Sequence, residues 1–173
     1  MMPAGAQMPA RQLLRRIHGL TRETMWSLSM IEGRVEDNQC MALLIASLIE
    51  TFYEELWNRW NDAAVDDTLD AAFDFRGSLG QQTTGRDEWR SYRDSIRAGS
   101  ADFHNEIVAL ICEDQRAAAR LRYSGTHSGP LLDLPATQRR FAYAGAAFFV
   151  AEGQRLVSAW VLGDLDGLRR QLE

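Results

Sequence analysis

"YSGTHSGPLLDLPATQRRF", Tyr123–Phe141, is the stretch on which the reading of this chain turns. An alternating pattern runs up to Gly125, and His127 stands at the mouth of a corner that ends at Gly129. A Leu-rich loop then closes at Pro135, and the apolar pattern restarts after Arg139 and Arg140. The segment reads as one strand, a structured corner and a second strand. Gly125 and Gly129 are expected to supply the backbone angles of a sharp strand exit, and Pro135 to stiffen the return.

Working outward, the second half has a period of two. "FHNEIVALIC", "AAARLRYSG", "RRFAYAGAAFFVA" and "RLVSAWVL" predict four long strands, joined by the turn-like "CEDQR" and the tight "EGQR". "DLDGLRRQLE" predicts a closing helix with Asp164 as its N-cap. The first half has helical spacing. Ile45, Leu48, Ile49, Phe52, Leu56 and Trp60 recur at three and four residues, and Tyr53 and Trp57 widen the stripe. A second helix is expected over Ala63–Ala72, an irregular stretch over "FDFRGSLGQQTTG", and a third helix over Arg86–Ala98. Helices first and an antiparallel meander afterwards make an α+β fold.

The chain has 173 residues, 46% of them hydrophobic, enough for one core. A net charge of −5 argues against nucleic acid as partner. Every basic residue is arginine. Cys40 and Cys112 stand in no metal-ligand spacing, which fits a reducing cytoplasm. "MALLIASLI" is too short to cross a bilayer, so no membrane role is expected. Residues 1–36 read as an N-terminal extension with a short helical arm around Leu13, Leu14, Ile17 and Leu20, and 37–173 as the domain. Neither a metal cluster nor a phosphate-binding Gly loop is visible, so no cofactor is expected.

Four blocks follow one another in the order and spacing of a known family: Gly125, His127 and Gly129; Pro135, Thr137 and Arg139; the Glu152–Leu156 hairpin; and Asp164, Gly167, Leu168, Gln171 and Leu172. In these the chain resembles the SnoaL-like polyketide cyclases of the nuclear-transport-factor-2-like superfamily, over about 48–172. The resemblance implies a conical barrel in which a curved, mostly antiparallel sheet wraps around N-terminal helices and leaves a deep apolar cavity. It also implies a general acid–base Asp on the last strand, three residues before Asp164. That position here is Val161, and a position where family members can place a His is Ala147. A faithful cyclase is therefore not expected.

The remaining acid–base candidates are His127 and His104, with Asp164 as a carboxylate partner. Within the family's layout, Leu131, Leu132 and Leu134 are expected to cover the cavity mouth. Tyr53, Trp57, Phe73, Phe75, Trp89, Tyr92, Leu121, Tyr123, Tyr143, Ala147 and Val161 are the expected lining, with Phe141 beside them. Alternation puts Ala119, Leu121 and Tyr123 inside and Arg120 and Arg122 outside. On the last strand Val157, Ala159 and Val161 share one face and Leu156, Ser158 and Trp160 the other; the family position of Val161 implies that its face is the inner one, which leaves Trp160 outside, where it suits a homodimer. The expected function is a cofactor-independent small-molecule enzyme (isomerase, dehydratase, hydrolase or cyclase-like) using His/Asp chemistry on a hydrophobic or aromatic molecule. The alternatives are a non-catalytic binder of such a molecule and a structural subunit of an assembly.

Overall fold

Phe52 sits at the centre of the core, with the rings of Tyr53, Trp57, Phe73, Phe75, Trp89 and Phe149 around it at 5.1–6.3 Å. The computed structural model describes residues 40–173. The arm expected over 1–36 lies outside them. Helix α1 covers 40–51 and continues as a π-helical segment, Phe52–Asn58. Its end is wound wide: the Arg59 N–H donates to the Glu54 carbonyl and the Asn61 N–H to that of Glu55, at 3.0 and 2.8 Å. The wider turn lets Phe52, Tyr53, Leu56 and Trp57 all be buried. Asn58 fixes its end to the sheet, donating to the Asn105 carbonyl at 3.0 Å and accepting the Asn105 N–H at 2.8 Å.

A turn at Asp62–Ala64 leads into the one-turn helix α2, Val65–Thr68. The expected helix over Ala63–Ala72 stops there, because β1 (Leu69–Arg76) begins at Leu69. The alanines favour helix locally, but Phe73 and Phe75 alternate toward Phe52, and burying both rings overrides that propensity. The stretch expected to be irregular therefore contains the second half of β1, the turn 77–81 and β2 (Gln82–Thr84). Helix α3 (Arg86–Gly99) follows, with the Glu88 carboxylate accepting the Thr84 N–H at 2.9 Å. Buried Arg93 lies between Asp62 and Asp94 with its guanidinium over Trp89, tying α3 to the turn before α2.

The four expected long strands are β3 (His104–Glu113), β4 (Arg116–Thr126), β5 (Arg140–Glu152) and β6 (Arg155–Gly163), and α4 (Leu165–Leu172) closes the chain. The six strands form one open, curved sheet in the order β2-β1-β6-β5-β4-β3. All pairs are antiparallel except β1 with β6. Asp164 caps α4, accepting the Gly167 N–H at 2.9 Å.

Strand parity holds on β4, where Ala117, Ala119, Leu121 and Tyr123 are buried. On β6 it breaks. Val150 pairs with Ser158 but Ala151 with Leu156, a bulge that takes Val157 out of the ladder. Leu156 consequently turns inward and is fully buried, contrary to the face expected for it, while Trp160 remains outside.

The corner is built by close approach rather than by unusual angles. Neither Gly125 nor Gly129 has a positive φ. A Cβ on Gly129 would stand 2.0 Å from the Ala98 carbonyl oxygen. Its absence lets the Ser128 and Gly129 N–H groups both donate to the Gly99 carbonyl at 3.0 and 2.9 Å, which closes the end of α3.

Candidate functional site

All four tyrosines of the chain, Tyr53, Tyr92, Tyr123 and Tyr143, are buried in one region of the cone. Tyr53 comes from the widened end of α1, Tyr92 from α3, and Tyr123 and Tyr143 from paired positions on β4 and β5. The Tyr123 and Tyr143 rings are 4.8 Å apart. Three of the four border an interior space whose apolar walls are Phe52, Phe75, Ile96, Phe103 and Val161. Trp57, Ser78 and Asn105 complete the lining. Ser78, in the turn between β1 and β2, is the one lining residue that is not buried.

The space is small. The centre of a water-sized sphere can occupy about 20 Å³ of it, room for one or two waters. Larger molecules fit only after the walls move.

The polar tips differ in how they are satisfied. The Tyr143 hydroxyl meets the Ser78 hydroxyl at 3.0 Å. The Tyr53 and Tyr123 hydroxyls lie within electrostatic reach of each other, but neither completes a hydrogen bond of good geometry, and the Trp57 indole N–H is also unpartnered. Leaving a buried donor unmet costs about 1–3 kcal/mol, so each of these groups is a candidate for a partner that the fold itself does not supply.

Burial raises all four phenols above their ordinary range. Tyr92 is pushed up to about 12, with the Leu79 backbone, the Ser78 hydroxyl and the Arg76 charge pulling the other way. Tyr53 rises further, offset in part by Tyr123. Tyr123 rises through burial and through its tyrosine neighbours, Tyr53 foremost. Tyr143 rises through burial, offset by the Ser78 hydroxyl. At neutral pH the region is a set of uncharged donors. Among the described residues, no charged side chain and no histidine lines the space, and no cluster of His, Cys, Asp or Glu is placed to hold a metal.

Residues 47–172 match the sequence model of the SnoaL-like polyketide cyclases. The chain belongs to the SnoaL-like polyketide cyclase family. Solved structures share its fold. The protein TsrD from Streptomyces laurentii is 26% identical with a TM-score of 0.66, over 75% of this chain and 95% of that one. A SnoaL-like polyketide cyclase from Agrobacterium tumefaciens is 23% identical with a TM-score of 0.63, over 73% and 98%. A Jannaschia sp. CCS1 protein assigned to the same family is 13% identical with a TM-score of 0.70, over 76% and 93%. No curated protein matches the sequence.

In this family member the residues singled out from sequence fall into separate places. Tyr53, Trp57, Phe75, Tyr92, Tyr123 and Val161 border the interior space. Phe73, Trp89, Leu121, Phe141, Tyr143 and Ala147 are buried core outside its lining. His104 is exposed at the start of β3, and Asp164 is an exposed helix cap. His127 is fully buried in the corner. Its Nδ1 is 3.0 Å from the Thr137 hydroxyl, its backbone N–H donates to the Arg139 carbonyl, and its Nε2 is unpartnered. The three are not brought together around the space. Leu131, Leu132 and Leu134 do not border it either; Leu131 packs against Gly99 at the end of α3.

Sequence reasoning missed Phe52, Ser78, Ile96, Phe103 and Asn105 in the lining. Only Ser78 had a usable signal: "GSLG" between two alternating runs is a hairpin turn, and a turn closing a sheet end is where an interior meets solvent.

Proposed function

We propose that this protein is a cofactor-independent enzyme that takes a small hydrophobic or aromatic molecule into the cone and isomerises, dehydrates, hydrolyses or cyclises it. The observation that carries the reading is the convergence of Tyr53, Tyr92 and Tyr123 on one apolar-walled interior, two of them with unmet hydroxyls. Apolar walls with a few oriented polar groups are the usual make-up of a small-molecule site. Access is by the turn 77–81, because Ser78 alone of the lining reaches the surface. His127 is the acid–base candidate of this proposal, since its Nε2 is free, with His104 and Asp164 behind it.

A second reading, a non-catalytic binder, is favoured by Val161 standing where the resemblance puts the acid–base Asp and by the absence of charge in the lining among the described residues. A thermal-shift screen with polycyclic aromatics, steroids, terpenoid epoxides and short acyl esters tests the site. A ligand at 100 times its Kd adds about 2.7 kcal/mol of stability. Silence across the panel removes both readings. With a hit in hand, changing His104 and His127 together to Gln abolishes turnover in an enzyme and leaves a binder's affinity intact.

The proposal includes a homodimer formed through the outer sheet face and action in the cytoplasm, which suits the free thiols of Cys40 and Cys112. Phe148 and Trp160 are neighbours on β5 and β6, 54% and 44% exposed, with Ala118 and Ile111 continuing the row onto β4 and β3. Beside this apolar row lie Arg116 opposite Glu113 and Arg122 opposite Glu106, all exposed and in no ion pair among the described residues. A face with an apolar middle and unpaired charges of both signs is complementary to a second copy of itself.

A further inference from the structure

We infer that the open edge of β3 is a docking site for an extended peptide segment of a partner protein, with two basic residues six positions apart and apolar side chains alternating between them. The inference is independent of the interior site, because it uses the rim of the sheet.

The two edges of the sheet are unlike. β2 is three residues long, and the Glu88 carboxylate takes its Thr84 N–H. β3 is ten residues long, contains neither proline nor lysine, and pairs on one side only, with β4. A row of unpaired N–H and C=O groups along such an edge is a template for a further strand. The protein itself shows the mode of binding: the Asn58 carboxamide donates to the Asn105 carbonyl at 3.0 Å and accepts the Asn105 N–H at 2.8 Å, as a neighbouring strand does. Beyond Asn105, no hydrogen bond among the described residues reaches this edge.

The side chains along the edge are apolar. Ile111 is 73% exposed and Val108 43%. On the inner side, Leu110 and Cys112 form an open groove with Ala42, Leu43 and Ala46 of α1, and Leu43 is exposed. The two alanines leave room for every second side chain of an added strand, the usual source of specificity in this mode of recognition.

Charge selects the occupant. Glu106 and Glu113 stand toward the two ends of β3. Burial raises the Cys112 thiol above its ordinary range and the charge of Glu50 on α1 adds to the rise, which puts a third acid beside the groove. All three acids are exposed and in no ion pair among the described residues. β4 answers the same strand with Arg122 opposite Glu106 and Arg116 opposite Glu113, six apart because its ladder skips Val108. Between them Ala117, Ala119 and Leu121 point inward. An added strand meets the same requirement from the other side. Full-length pairing with a second copy of β3 instead sets Glu106 against Glu113 twice, and like charges directly opposite are destabilising. Strand addition lies in the plane of the sheet, beside the outer face rather than on it.

The test uses the full chain and two end-blocked peptides, Arg-Val-Thr-Val-Thr-Val-Arg and its analogue with Glu at both ends. The Arg peptide is expected to bind about tenfold more tightly than the Glu peptide, two cross-strand charge pairs' worth, and to slow amide exchange along Ile107–Glu113. Glu106→Lys with Glu113→Lys, both at exposed positions, should reverse the preference. The exchange data on the unaltered protein stand even if that variant folds poorly. Equal affinities for the two peptides would overturn the inference, as would binding that leaves the β3 amides unprotected or no binding at all. Protection of those amides in the protein alone would also overturn it, since the edge would then already be occupied.

Discussion

The Ser78 hydroxyl lies 3.0 Å from the Tyr143 hydroxyl, and this contact joins the turn between β1 and β2 to the middle of the sheet. The turn is closely packed at Gly77 and where Gly163, the last residue of β6, lies against Ser78. A Cβ on Gly77 would overlap the Tyr92 hydroxyl at 2.1 Å, and one on Gly163 would reach the Tyr143 ring at 2.9 Å. On the proposed entry by this turn, the contact is a latch on Ser78, the partly exposed residue of the interior wall among the described residues. Tyr143→Phe should cost about 1 kcal/mol of stability and speed both association and release of a bound ligand. Urea melts and stopped-flow binding check the two parts; a slower association would sink the latch.

Alkaline pH should unfold the protein through its tyrosines. An unfolded tyrosine ionises near 10, whereas folded Tyr92 is held at about 12 and the other three above that ordinary value. A raised folded pKa gives stability that is complete below pH 10 and is lost as pH rises toward the folded value. Tyr92 alone accounts for about 2–3 kcal/mol between pH 10 and 12. Phenolate absorbance and the circular-dichroism signal should therefore change together in one steep step. Four phenols titrating normally in a folded chain would contradict the burial.

Val161→Asp restores a carboxyl at the position that the resemblance assigns to the family's acid–base residue, but in a wall that holds no cation among the described residues. Its folded pKa should rise above the usual carboxylate range through burial. The variant should lose roughly 2–4 kcal/mol at pH 7 and recover the part due to charge as pH falls from the raised folded pKa toward the unfolded value near 4. Thermal melts at pH 7 and pH 4 compare the two conditions. Equal stability loss at both values would place the cause in shape rather than charge.

Two glycines separate close approach from backbone angle. Gly129→Ala should cost about 3 kcal/mol, because its Cβ meets the Ala98 carbonyl at the end of α3. Gly153→Ala, in the β5–β6 turn at φ 58 with open space around it, should cost about 1 kcal/mol. Denaturant melts rank them, and the reverse order would mean that the corner shifts readily away from α3.

Phe148→Ser with Trp160→Ser removes the aromatic pair, 6.0 Å between ring centres, from the outer face. If a second copy covers that face, sedimentation velocity should show a dimer for the parent chain and a monomer for the variant, with the melt little changed. A parent that is monomeric at tens of micromolar would remove the dimer.

By itself, the sequence determined what depends on local period. The stripe through Ile45, Ile49, Phe52 and Leu56 commits α1, and the alternation of Ala117, Ala119, Leu121 and Tyr123 commits β4 and its inner face. The end blocks around His127 and Asp164 carried the family. What tertiary structure alone decided is each feature that depends on a distant partner. β1 became a strand because Phe73 and Phe75 both had to meet Phe52, and its parallel pairing with β6 joins segments far apart in the chain. Leu156 turned inward through a bulge opposite Val150 and Ala151. Gly129 proved necessary because the end of α3 lies against it. The site follows the same rule: four tyrosines scattered from 53 to 143 have no shared pattern in sequence, and only the curvature of the sheet around a widened helix gathers them, since burial selects positions by distance in space and not along the chain.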